Sequence, residues 1–171
     1  MAAPRHTNAT SRMSTLSPRY LQQDSPQTLT EGLAEYASAH REQLTNRLNS
    51  EAARKFFDAH DTAHVVFGCG ITLTDEAVVK VCSIFGTSEG FAVLRGYAAA
   101  ESKNIYRELA LSDIVTTTIQ SFALVPRAIW HCQRMRERWP WRDHQQFFDQ
   151  PLHAIRTQFG IRVLHSHLCG D

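Results

Sequence analysis

The sequence predicts an all-α protein, a single compact multi-helix domain over 28–171 behind a disordered or targeting leader of 1–27. Two observations predict the class. Apolar residues recur at three- and four-residue steps over most of the chain, the period of a helix and not of a strand. Glycine, proline and small hydroxyl residues fall where such stretches would end or begin. With 171 residues, 43% of them hydrophobic, the chain can build one sizeable core and is too short for two ordinary domains.

The elements follow in order. In the leader, Arg5, Arg12 and Arg19 stand among Ser and Thr with no acid before Asp24. That composition fits a mitochondrial transit peptide, while Pro4 and Pro18 argue equally for a plain disordered tail. From Thr28 onward, Leu29, Leu33, Tyr36, His40, Leu44 and Leu48 form one apolar stripe, the mark of a first helix. Ser50 is placed to cap a second, running from about Glu51 to Phe67 and stopped by Gly68 at the C′ position. Thr74 is expected to cap a third, with Asp75 and Glu76 opposing the positive end of its dipole and Gly86 ending it. A fourth is expected from about Ser88 to Leu109, and a fifth from Ser112 to about Arg138, kinked or broken at Pro126. The β-branched run Ile114–Ile119 suits a strand by propensity, but no partner strand is visible, so it is read as helical. A last helix has Asp149 as its cap, Pro151 in its first turn and Gly160 at its close.

A net charge of +1 argues against a nucleic-acid protein, which would carry a basic excess. The cysteines at 69, 82, 132 and 169 match neither a C-x-x-C pair nor a zinc ribbon. Without a secretory signal they read as reduced thiols in an intracellular compartment, with Cys69 and Cys82 buried and inert. No apolar run reaches the length of a spanning helix, so any membrane contact is peripheral.

Chemistry concentrates at 60–76. His60 and His64, four positions apart on a helix, share one face with Cβ atoms about 5–6 Å apart. Both imidazoles could therefore reach a single metal ion. They continue the stripe of Phe56 and Phe67, so the pair faces the interior. Asp61, about 100° round the axis from His60, is either a ligand from the side or an acceptor that orients an imidazole. Glu76 comes from the next helix after a tight loop. The expected ligands are thus His60, Asp61, His64 and Glu76, a common set for a divalent metal with an open coordination position. With nine His in the chain, such a pair also arises by chance. The pattern differs from the H-E-x-x-H of zinc peptidases, since Asp61 stands where the basic Glu would be. A phosphohydrolase of the His-Asp kind would need a further His and Asp, and the spacing of His40 and Asp113 argues against it.

The motif His60-Asp61-Thr62-Ala63-His64, eleven residues and then Glu76, resembles the signature of the coenzyme Q (ubiquinone) biosynthesis protein 4 family. Gly68 four residues after the second His, Lys80 after the Glu, and the closing stretch FFDQPLHAIRTQFGI extend the resemblance over about Phe56 to Ile161. Ala63 replaces the family's usual aromatic, Asp75 its usual Gly, and the region upstream of the motif is shorter. The resemblance implies an all-helical homodimer, peripheral on the matrix side of the mitochondrial inner membrane or on the cytoplasmic face of a bacterial inner membrane. Its substrate would be a prenylated quinone precursor and its partners other ubiquinone-biosynthesis proteins. Two roles are implied: a lyase that removes the C1 carboxylate of a prenylated hydroxybenzoate and leaves a hydroxyl, or a non-catalytic lipid-binding scaffold. The metal would be zinc or, for redox chemistry, iron. Asp61 or Lys80 would serve as proton donor.

A second feature suits a lipid partner. Arg127, His131, Arg134 and Arg138 recur at helical spacing, with Trp130, Trp139 and Trp141 interleaved. Such a face suits an anionic membrane surface or acidic head group. The plainer reading is a solvated basic face with the Trp rings partly buried.

Overall fold

The computed structural model describes residues 17–40, 51–100 and 124–164. Among them lie six α-helices and no strand: α1 (Leu29–Ala39), α2 (Glu51–Phe67), α3 (Leu73–Phe85), α4 (Val93–Ala100), α5 (helical over 124–133) and α6 (Leu152–Phe159). Short 3-10 turns stand at Arg19–Leu21, Gly90–Ala92 and His144–Phe147. Leu44, Leu48, the Ser50 cap, Ser112, Asp113, the Ile114–Ile119 run and Cys169 lie outside the described residues. No helix among those described is long and apolar enough to cross a membrane.

α2 is the central element and packs against α1, α3, α4 and α6. Its end at Phe67 is the one the sequence predicts, because its last turn is closed by a Schellman arrangement. The Cys69 amide donates to the His64 carbonyl at 2.8 Å and the Gly68 amide to the Val65 carbonyl at 3.3 Å. Gly68 has φ +66°, and a Cβ there would strike Val163, so conformation and space both call for glycine.

The remaining carbonyls of that turn are met by Arg156 of α6, which is fully buried. Its Nε donates to Val66 O at 2.9 Å, and its terminal nitrogens donate to Val65 O, Tyr20 O and Gln22 O. No carboxylate shares the charge in these bonds, and burial pushes the Arg156 pKa down to about 10.

Several boundaries differ from expectation for identifiable reasons. Thr72, not Thr74, caps α3, because its hydroxyl accepts from the Asp75 amide while Asp75 Oδ2 accepts from the Thr72 amide and hydroxyl. Pro151, not Asp149, occupies the N-cap of α6, and Gly160 ends it with φ +69°. α5 contains Pro126 and stops at 133, short of Arg138. The chain turns there so that Trp139 can enter the core, where its amide donates to Gly86 O at 2.8 Å. The folded body also begins before Thr28. Tyr20 is fully buried, and segments 25–30 and 148–153 are laced together by the bonds Leu29 N to Gln150 O, Leu152 N to Gln27 O and His153 N to Ser25 O. At least 17–27 therefore belong to the domain and not to a leader.

Candidate metal centre

His60 and His64 sit on the last two turns of α2 and Glu76 on the first turn of α3. Their potential ligand atoms all lie within 4.8 Å of one another. His64 Nε2 stands 3.4 Å from Glu76 Oε1, and His60 Nε2 stands 3.8 Å from Glu76 Oε2. Donors on one tetrahedral zinc ion are spaced by about 3.3 Å, given bonds near 2.0–2.1 Å. The three side chains are therefore close to ligand spacing already.

Burial decides how this cluster behaves. His60 is 3% exposed and His64 has no exposure, whereas the Glu76 side chain keeps 28%. Burial foremost lowers the His60 pKa; the hydrogen bond its ring donates to Asp61 opposes this, His64 adds to the lowering, and Glu76 opposes it. A neutral ring with its proton on Nδ1, facing Asp61 Oδ1 at 3.4 Å, presents the Nε2 lone pair toward Glu76. Neither ring nitrogen of His64 has a hydrogen-bond partner, since the Glu76 oxygen beside Nε2 is near but not aligned. A buried imidazole left in that condition costs about 1–3 kcal/mol. Lone pairs converging on one point, with an orphaned imidazole among them, fit a divalent cation. His60, His64 and Glu76 could hold one, with an open position on the exposed Glu76 side.

Asp61, the fourth expected ligand, is not among the converging three. Its carboxylate lies against the opposite nitrogen of His60, which is the orienting alternative raised by the sequence. Lys80, one turn beyond Glu76, places Nζ 5.1 Å from the Tyr97 ring centroid, and that ring packs 5.5 Å from His60.

An aromatic shell encloses the pair, and sequence reading did not assign it. Tyr36 stacks on His64 at 5.1 Å with the planes 28° apart, and Phe56 lies nearly parallel to His60 at 5.9 Å. Gly96 makes room for Phe56, because a Cβ there would come within 2.1 Å of its ring. His40, which the sequence places on the stripe of the first helix, closes α1 beside Tyr36 at 4.9 Å. Its pKa is lowered by burial first and then by the nearby His64. The helical phase of Tyr36 and His40 on the α1 stripe was the signal that could have placed both here.

The basic stripe is not one helix face. α5 ends before Arg134 and Arg138, Trp139 and Trp141 are buried, and only Trp130 is largely exposed, at 48%, with the Arg134 guanidinium 4.2 Å from its ring. Cys69 and Cys82 are buried free thiols whose pKa is raised, Cys69 by burial and Cys82 by the Cys132 hydrogen bond followed by burial. Compared with family models, with curated proteins and with solved structures, the chain matches none of them.

Proposed function

We propose that this protein acts in ubiquinone biosynthesis as a metal-dependent lyase on a prenylated hydroxybenzoate, with His60, His64 and Glu76 as the ligands. The observation that carries the reading is the convergence of two core imidazoles and one solvent-touching carboxylate at ligand spacing. The spacing of the motif that resembles the coenzyme Q biosynthesis protein 4 family supplies the substrate class. In the reaction the bond from C1 to the carboxyl carbon breaks and carbon dioxide leaves, the two electrons pass to dioxygen, which becomes hydrogen peroxide, and water supplies the new hydroxyl oxygen.

When bound, the cation supplies Lewis-acid stabilisation of negative charge on the substrate carboxylate and phenolate. The chain's own residues do the rest. Asp61 holds the His60 ring in the tautomer that keeps Nε2 free. Tyr36, Phe56 and Tyr97 keep water away from the imidazole side, which strengthens electrostatic contacts there. Lys80 is the proton donor of this reading, held above Tyr97 at the rim. Zinc is the first metal of the proposal and iron the second. Peripheral membrane attachment, a homodimer and association with other ubiquinone-biosynthesis proteins belong to the same reading.

A second reading, a lipid-binding scaffold with a purely structural metal, is favoured by one observation: both imidazoles are built into the core. Metal analysis of the purified protein and of His64→Ala, combined with rescue of a ubiquinone-deficient strain, tests the lyase, and melting with a chelator separates it from the scaffold, whose structural metal expects the fold to be lost on chelation. The lyase reading expects about one metal per chain, lost in the variant together with rescue. Rescue that persists when His60, His64 and Glu76 are all replaced overturns it.

A further inference from the structure

Apart from the metal centre, the molecule gathers positive charge around a cleft of about 470 Å³. Arg127 and His131 of α5, Arg136 of the following loop and Arg162 of the segment after α6 line it, with Arg156 at its base. A second chamber of about 510 Å³ shares His131, Arg136 and Arg162 and adds Arg134 and Trp130. Among the described residues no Asp or Glu lines either chamber, and no carboxylate pairs with Arg127, Arg134, Arg136 or Arg162.

Guanidinium groups repel one another, so bringing several to one cleft without acids is unfavourable unless an anion joins them. The effect registers on His131, whose pKa is lowered by burial and then by Arg127, Arg162 and Arg134. Arg156 adds a buried charge whose hydrogen bonds go to backbone carbonyls.

The walls are also fixed in advance. Gln23 clips the backbone on both sides of Arg162, donating from Nε2 to Ile161 O at 3.0 Å and accepting from the Val163 amide at 2.7 Å. The Arg136 amide donates to Phe159 O at 2.9 Å, tying the other wall to the end of α6. Forked donors carried on tied backbone from separate segments match a tetrahedral oxyanion better than a single carboxylate. The exposed Trp130 ring offers an apolar surface beside the second chamber for whatever carries that group.

We propose that this cleft is a binding site for a phosphate or diphosphate group, gripped by Arg127, Arg136 and Arg162. A soluble phosphorylated compound and a phospholipid head group share that chemistry. The cleft includes none of the metal-centre residues, so the proposal stands apart from the ubiquinone reading.

The test uses the full chain. Inorganic pyrophosphate is titrated calorimetrically into the wild type, Lys55→Gln and the double variant Arg127→Gln/Arg162→Gln. In parallel, co-sedimentation is measured with phosphatidylcholine vesicles, pure or containing phosphatidylglycerol. The double variant keeps His60, His64 and Glu76, so binding through the metal would survive in it. The expected result is saturable binding, unchanged in Lys55→Gln and weakened at least about tenfold in the double variant. Pyrophosphate binding without vesicle binding identifies a soluble ligand; vesicle binding that needs phosphatidylglycerol and the same arginines identifies a head group. Should the double variant fail to fold, Arg162→Lys, which keeps the charge and loses the fork, is expected to weaken binding in its place. Absence of binding in both assays, or affinity unchanged in the variants, overturns the proposal.

Discussion

All three converging donors of the metal centre come from the short span between His60 and Glu76, two successive helices and one loop. The basic cleft is assembled from Arg127, Arg136 and Arg162, and the guanidinium beneath them bonds a carbonyl 136 positions away, that of Tyr20. The first arrangement is set by helical phase and loop length, both local properties. The second exists only once the ends of the described chain have met. The two regions also differ in polarity: one holds buried lone pairs that call for a cation, the other exposed guanidinium groups that no carboxylate among the described residues pairs with.

The sharpest way to break this contrast is at Arg156. Arg156→Met leaves the carbonyls of Tyr20 and Val66 without a donor and takes one of two donors from those of Gln22 and Val65, a loss on the order of 3–5 kcal/mol. Urea unfolding is expected to show it, and Arg156→Lys, which cannot reach all four carbonyls, should restore little. A variant within 1 kcal/mol of wild type would mean that those groups find other partners.

At the metal centre the expected sign depends on the ligand. Without metal, His64→Leu removes two unpartnered buried nitrogens and should be neutral or stabilising. With zinc at a hundredfold above its Kd, wild type should gain about 2.7 kcal/mol and the variant nothing. Thermal melts with and without zinc read both arms, and equal zinc stabilisation of the two proteins would remove His64 from the ligand set.

A somewhat smaller effect is expected at Gly96. Glycine to alanine in a helix ordinarily stabilises by roughly 1 kcal/mol. Here the new methyl would displace the Phe56 ring that lies along His60, so Gly96→Ala should destabilise by about 1–3 kcal/mol and weaken zinc binding. A higher Tm would show that Phe56 moves aside freely.

The smallest effect concerns Glu35. Burial raises its pKa, but hydrogen bonds from the Arg19 amide, the Tyr20 amide and Gln27 outweigh it and hold the carboxyl below its ordinary 4.5. A folded-state pKa below the unfolded one contributes stability that is present above the unfolded value and lost as pH falls through the folded one. The Tm should therefore decline below about pH 4.5, and Glu35→Gln should make that acid limb shallower. An identical limb in the variant would assign acid sensitivity elsewhere.

The same contrast explains what the sequence made legible. The end of α2 at Gly68, the inward pair His60–His64 and the partnership with Glu76 all follow from spacing within one hairpin of helices. Choosing Thr72 over Thr74 required knowing that the Asp75 carboxylate turns back on the cap. The stop of α5 depends on burying Trp139, and the order of 17–27 depends on Arg156 and on the lacing to 148–153. Pairings across more than a hundred residues leave no periodicity to read. Arg156 in particular looks from sequence like any other exposed base.

The five residues Gly68–Thr72 join the terminated end of α2 to the capped start of α3. Both helix ends are locked, so this link behaves as a ruler that fixes the angular setting of Glu76 against the two rings. One residue gained or lost by α3 ahead of Glu76 would swing its carboxylate by about 100°. Length is therefore the stringent property of this stretch, more than the identity of Ile71, which is only partly covered where it packs against the core.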